Sequence, residues 1–143
     1  MLKCTVRRHH DMSFIAETGT GHMVAMDSAP EAGGRNLAPR PLELLLAGAG
    51  GCTAFDVVSI LKKSRQAVVD CTVRLSAERA EEEPKVFTRI DLHFVVTGRG
   101  LKSEAVERAI RLSAEKYCSA SIMLGKTAQM NHTWEIVEAG KAA

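Results

Sequence analysis

The sequence predicts an α+β domain, an antiparallel sheet with two principal helices, one of them long and buried. Three observations lead there. An apolar run from Leu42 to Ile60 is too long for a strand and follows Pro41, which can occupy the first turn of a helix. Residues 71–77 and 90–96 alternate polar and apolar side chains with the period of a strand. Val106, Ala109, Ile110, Ser113 and Tyr117 recur at helical spacing. A chain of 143 residues has room for one domain with a sizeable core, so residues 1–143 are read as a single domain.

Taken in order, residues 2–27 read as two or three short strands. Val6 precedes the polar run Arg7-Arg8-His9-His10-Asp11, then come Phe14-Ile15-Ala16, the turn Thr18-Gly19-Thr20-Gly21, and Met23 to Met26. Residues 27–40, rich in Pro, Gly and polar residues, are a loop. The helix opened by Pro41 runs to about Ser64, and Lys62 and Lys63 suit the negative end of its dipole. Cys71, Val73, Leu75 and Ala77 share one face of the first alternating run; Ile90, Leu92, Phe94 and Val96 share one face of the second. Residues 80–84 join them as a wet tip, which makes a long antiparallel hairpin. Ser103 is the expected N-cap of the second helix, and Cys118 stands at that helix's end. A segment rich in Ala, Ser and Met follows, and His132 to Val137 close the fold as a strand.

The formal charge of +2 and the lack of a basic stripe interleaved with aromatic residues argue against nucleic-acid binding. The N-terminus lacks the apolar run and cleavage site of a secretory signal. Three glycines, Glu43 and Asp56 interrupt the apolar run, so it reads as a core helix and not as a membrane span. A cytoplasmic location is expected. Gly48-Ala49-Gly50 begins like a dinucleotide fingerprint, but Thr53 and the helical context break the match. No cofactor is expected. No metal site is expected either, because the cysteines are widely spaced and His9-His10-Asp11 alone supplies too few converging ligands.

The four cysteines, Cys4, Cys52, Cys71 and Cys118, carry what chemistry the sequence offers. A free cysteine commonly serves as a small hydrophobe, and Cys71 and Cys4 read that way. Cys52 differs. Gly48, Gly50 and Gly51 crowd before it in a helix, where each costs about 1 kcal/mol relative to alanine and so implies close approach of another group. Asp56 lies one turn beyond Cys52 on the same helical face, inside an apolar run, where a carboxylate must find a partner. Ser119, Ala120 and Ser121 leave room for a second sulfur to approach Cys118.

The segment RPLELLLAGAGGCTAFDVVSILKK, followed at a distance by LSAEKYCSASIMLGK, resembles the OsmC/Ohr family of thiol-dependent hydroperoxidases, in particular its short bacterial OsmC-like branch. The resemblance spans nearly the whole chain. It implies a homodimer with intertwined N-terminal strands, two long helices packed centrally, and active sites at the subunit interface. It assigns Cys52 as the peroxidatic thiol and Cys118 as the resolving thiol, with an organic hydroperoxide as substrate and an external dithiol as reductant. A free thiol with a pKa of ~8.5 is only about 3% ionised at pH 7, so such a site needs a positive partner. In the peroxidase branches that partner is an arginine from an N-terminal glycine-rich turn, oriented by a glutamate after the proline. Here the turn, Glu17 to His22, holds no arginine, and Leu42 follows Pro41, so the acid comes one residue later as Glu43. That step turns the side chain by about 100° around the helix. Arg35, Arg40 and His22 are the basic groups within reach in sequence. The competing expectation keeps the dimeric scaffold without turnover: it binds a small apolar or electrophilic ligand, and its thiols sense or are structural.

Overall fold

The computed structural model describes residues 1–140. The chain divides into two compact units, Met1–Ala47 and the remainder from Gly48.

The first unit contains three antiparallel strands, β1 (Cys4–His10), β2 (Ser13–Thr18) and β3 (Met23–Met26), paired in chain order. His9 and His10 extend β1, so the expected polar turn is confined to Asp11 and Met12, with Asp11 at φ 50°. β1 is exposed along its whole length. After β3 the loop is organised by Asp27, which is only 3% exposed. Its carboxylate accepts the backbone N–H groups of Ser28 at 2.7 Å, Arg35 at 3.2 Å and Leu37 at 3.1 Å. These bonds, Leu37's foremost, hold the carboxyl below the ordinary range against the opposing effect of burial.

A depressed carboxyl stabilises the fold above the unfolded-state pKa of about 3.9, and that contribution disappears as pH falls through the folded-state value. Melting temperatures of the protein and of Asp27→Asn are therefore expected to differ by a constant amount above about pH 5 and to converge at lower pH. A gap independent of pH would contradict this role.

The helix α1 (Pro41–Lys63) starts in the first unit and continues into the second. Glu43 explains its start. Its Oε1 accepts the backbone N–H of Arg40 at 2.9 Å, the reach-back half of a capping box. By length and composition α1 could cross a membrane. Ala49, Gly50, Thr53, Val57 and Leu61 are buried, a stripe at i, i+4 spacing. The expectation of a wholly buried helix is not met within one chain, since Leu45 is 51% and Phe55 73% exposed. Of the three glycines, Gly50 alone has the expected close neighbour in this chain: a Cβ there would lie 2.8 Å from Leu75 Cδ1, whereas Gly48 and Gly51 face open space.

The second unit is built on β4 (Ala67–Arg79), β5 (Phe87–Arg99) and β6 (Gln129–Glu138), with β5 in the centre. The β4–β5 hairpin is antiparallel as expected, with Val73 opposite Phe94 and Leu75 opposite Leu92. β6 runs parallel to β5, so this sheet is mixed and not purely antiparallel. The intervening helices α2 (Ser103–Leu112) and α3 (Ser119–Leu124) return the chain to the end from which β5 began, and that return makes the pairing parallel. Ile90, Leu92, Phe94 and Val96 are all buried, as their alternation required, and join Val57, Leu61, Val106, Ala109 and Ile110 in the core. His132 of β6 stacks on Phe94 with ring centroids 6.2 Å apart. Burial pushes this imidazole down, and its buried Nε2 has no hydrogen-bond partner among the described residues.

Two details of the second helix differ from expectation. Ser103 is its first helical residue, with Lys102 as the N-cap and no side-chain capping bond. Beyond Leu112 the chain widens into a π turn, Ser113–Tyr117, which shifts the angular register and leaves Tyr117 51% exposed instead of buried.

Candidate thiol site

The π turn positions the second sulfur. It ends where the Cys118 N–H donates to the Ser113 carbonyl at 2.8 Å, and Cys118 then takes an extended conformation with ψ 94°. That break lets Cys118 cap α3: its Sγ accepts the Ser121 N–H at 3.3 Å, and the thiol bonds the Ser121 hydroxyl at 3.1 Å. Cys118 is fully buried. Burial pushes its thiol up, and the two Ser121 bonds oppose that only in part.

Cys52 is half-buried on α1. Its Sγ, the Cys118 Sγ and a carboxylate oxygen of Asp56 lie within 4.8 Å of one another. The two thiols singled out by sequence thus meet, although they are remote along the chain. A disulfide bond of about 2.0 Å would require the sulfurs to close by less than about 3 Å.

Asp56 finds the partner that its apolar surroundings demand. The Ser113 hydroxyl donates to Asp56 Oδ2 at 2.9 Å, and Ser113 Oγ is in turn 2.8 Å from Thr53 Oγ1. Thr53 and Ser113 are buried, so the chain Thr53–Ser113–Asp56 ties α1 to the π turn beside the sulfurs. Sequence reasoning listed Ser113 among helix-face residues and missed this polar role. Thr53 was noted only for breaking the dinucleotide pattern. A buried serine and threonine beside an apolar-run aspartate were the available signal.

A cleft of about 390 Å³ opens beside Asp56. Phe55, Ile60, Leu112 and Tyr117 give it apolar walls, and Lys63 and Arg108 line it as well. Neither cation is ion-paired with Asp56 among the described residues.

The remaining candidates have local partners. Arg35 pairs through Nε with Asp11 at 3.0 Å and approaches His10 Nε2 at 3.3 Å. Arg40 reaches the Ala38 carbonyl at 3.3 Å. His22 Nδ1 lies 3.1 Å from Thr20 Oγ1 in an exposed turn. Glu43 caps α1 as described. Cys71 is half-buried rather than fully in the core, and burial pushes its thiol up; Cys4 is exposed.

The family model described as OsmC-like protein matches residues 33–133, which include Cys52, Cys118, α1 and the π turn. The chain belongs to the OsmC-like protein family. Protein YhfA of Escherichia coli strain K12 is 50% identical over 138 residues, 96% of this chain and 100% of YhfA. The crystal structure of a hypothetical protein from Aquifex aeolicus VF5 is similar with a TM-score of 0.85 at 30% identity, covering 96% of this chain and 97% of that one. A crystal structure of an organic hydroperoxide resistance protein OsmC from Legionella pneumophila has a TM-score of 0.71 at 16% identity, covering 94% and 96% of the two chains. At that identity the likeness is one of fold.

Proposed function

We propose that this OsmC-like protein reduces organic hydroperoxides through Cys52 and Cys118 and so contributes to oxidative-stress defence in the cytoplasm. The observation that carries this reading is the approach of the two sulfurs, one half-open to solvent and the other fully buried. In the first step the Cys52 thiolate attacks one peroxide oxygen. The O–O bond breaks, the alcohol leaves with a proton, and Cys52 becomes a sulfenic acid. Cys118 then attacks that sulfur. A disulfide forms, and water departs with the sulfenic oxygen and the thiol proton. An external dithiol of unknown identity is oxidised as it restores both thiols. The buried position of Cys118 suits the resolving role, because its sulfur is screened from solvent peroxide and stands near Cys52. The cleft lies against Asp56, one helical turn beyond Cys52, and its apolar walls would favour the alkyl group of an organic hydroperoxide.

The same reading includes a homodimer. β1 is an exposed edge strand, and α1 presents Leu45 and Phe55 to solvent in a single chain; intertwined strands and paired central helices would cover both. Glu43 is assigned to orient a basic group for the thiolate, with Arg40 the nearest arginine in sequence.

One observation favours the competing reading, in which the scaffold binds a small apolar or electrophilic ligand and its thiols sense or are structural. Asp56 puts a carboxyl group beside the sulfurs, and no arginine is bonded to it among the described residues. Steady-state consumption of tert-butyl hydroperoxide with dithiothreitol as reductant separates the two. Sustained turnover that falls to the uncatalysed rate in Cys52→Ser is expected. Equal rates for both proteins would overturn the peroxidase reading.

A further inference from the structure

Two thiols and a carboxylate converge from two separate parts of the fold, α1 and the start of α3, and no basic side chain is paired with the carboxylate among the described residues. Sulfur and carboxylate oxygen are the donor types that hold a thiophilic divalent cation. Donors bound to zinc at about 2.3 Å for sulfur and 2.0–2.2 Å for oxygen stand roughly 3.5–4 Å apart around a tetrahedral ion. The three atoms here lie within 4.8 Å of one another, close to that spacing. We propose that Cys52, Cys118 and Asp56 form a site for a thiophilic divalent cation of the zinc type, whether or not the pair turns over peroxide.

The surroundings orient each donor. Ser121 holds the Cys118 sulfur through its backbone N–H, a bond that suits a thiolate, and its hydroxyl can turn to donate once the thiol proton has left. Ser113 bonds Oδ2 of Asp56 and leaves the other carboxylate oxygen for the ion, while Thr53 holds Ser113 from behind. Of the three donors Asp56 alone lines the cleft, so an ion would approach from the carboxylate side. On binding, the two thiols release two protons to solvent, the two thiolates and the carboxylate coordinate the ion, and no electron is transferred. The wide cysteine spacing argued against a metal site in the sequence. The fold removes that objection by bringing the ligands together.

The test is anaerobic titration of the reduced protein with cobalt(II), in a Cys4→Ser, Cys71→Ser background so that only the two site thiols remain. The expected result is one cobalt per chain, with near-ultraviolet sulfur-to-cobalt charge transfer and the visible bands of a tetrahedral ion, both displaced by zinc. Cys52→Ser and Cys118→Ser should each diminish the charge-transfer band. The isosteric Asp56→Asn should weaken affinity at least about tenfold and keep both thiols titratable. No charge-transfer band, or a band and affinity unchanged in Asp56→Asn, would overturn the proposal. Peroxide consumption by the metal-free protein reports separately on the catalytic reading.

Discussion

Without added thiol, Cys118→Ser is expected to stop at a Cys52 sulfenic acid after the first equivalent of peroxide, because that residue has no neighbouring thiol to condense with. In the intact protein the Cys118 sulfur is within 4.8 Å of Cys52. Serine preserves the buried volume and can keep bonding Ser121, so the fold should persist while the second step is lost. Repeated peroxide should then carry Cys52 on to sulfinic acid, seen in intact-mass spectra as the addition of two oxygen atoms. A Cys52 that stays free of sulfinic acid in Cys118→Ser after repeated peroxide without added thiol would show that Cys118 does not resolve the intermediate.

Phe94→Ala is expected to have the largest effect on stability. Phe94 is wholly buried at the centre of β5 and stacks with His132 of the parallel neighbour. Truncation removes the ring from the middle of the core and leaves a cavity between strands and helices, a loss of about 3–5 kcal/mol. For a chain of this size that corresponds to a fall in melting temperature on the order of 10 °C. A fall of only a few degrees in a thermal melt would mean that the core collapses onto the gap or that β5 is less central than described.

Much of this architecture was legible because local patterns had one physical solution. Strict alternation over residues 90–96 gives a strand with one buried face, and Ile90, Leu92, Phe94 and Val96 occupy it. Pro41, the apolar run and the terminal lysines set α1 within a residue of its observed end. The direction of β6 was not legible, since its own sequence carries the same alternation whichever way it runs. The π turn was hidden for a similar reason. Ser113 fits helical spacing, and only the Cys118 N–H reaching back to its carbonyl reveals the widening that exposes Tyr117.

The site was legible in part. Each cysteine had a distinctive local setting, but their meeting depends on how α1 packs beside the π turn, which no local spacing encodes. The family resemblance carried that pairing, and the proximity of the two sulfurs agrees with it. Asp56 stood out as a carboxylate in an apolar run. Its partner Ser113 lay far along the chain, beyond what helical periodicity reports. Glu43 acquired a local explanation that its position after the proline only suggested, as the acid that closes the first turn of α1.

The central claim is that these two sulfurs act as one redox unit. It is tested most directly by brief exposure of the reduced protein to tert-butyl hydroperoxide, alkylation of the remaining free thiols, and peptide mapping by mass spectrometry. The account predicts a Cys52–Cys118 linked peptide in the intact protein and none in Cys52→Ser. Recovery of both cysteines alkylated and unlinked after peroxide would contradict it.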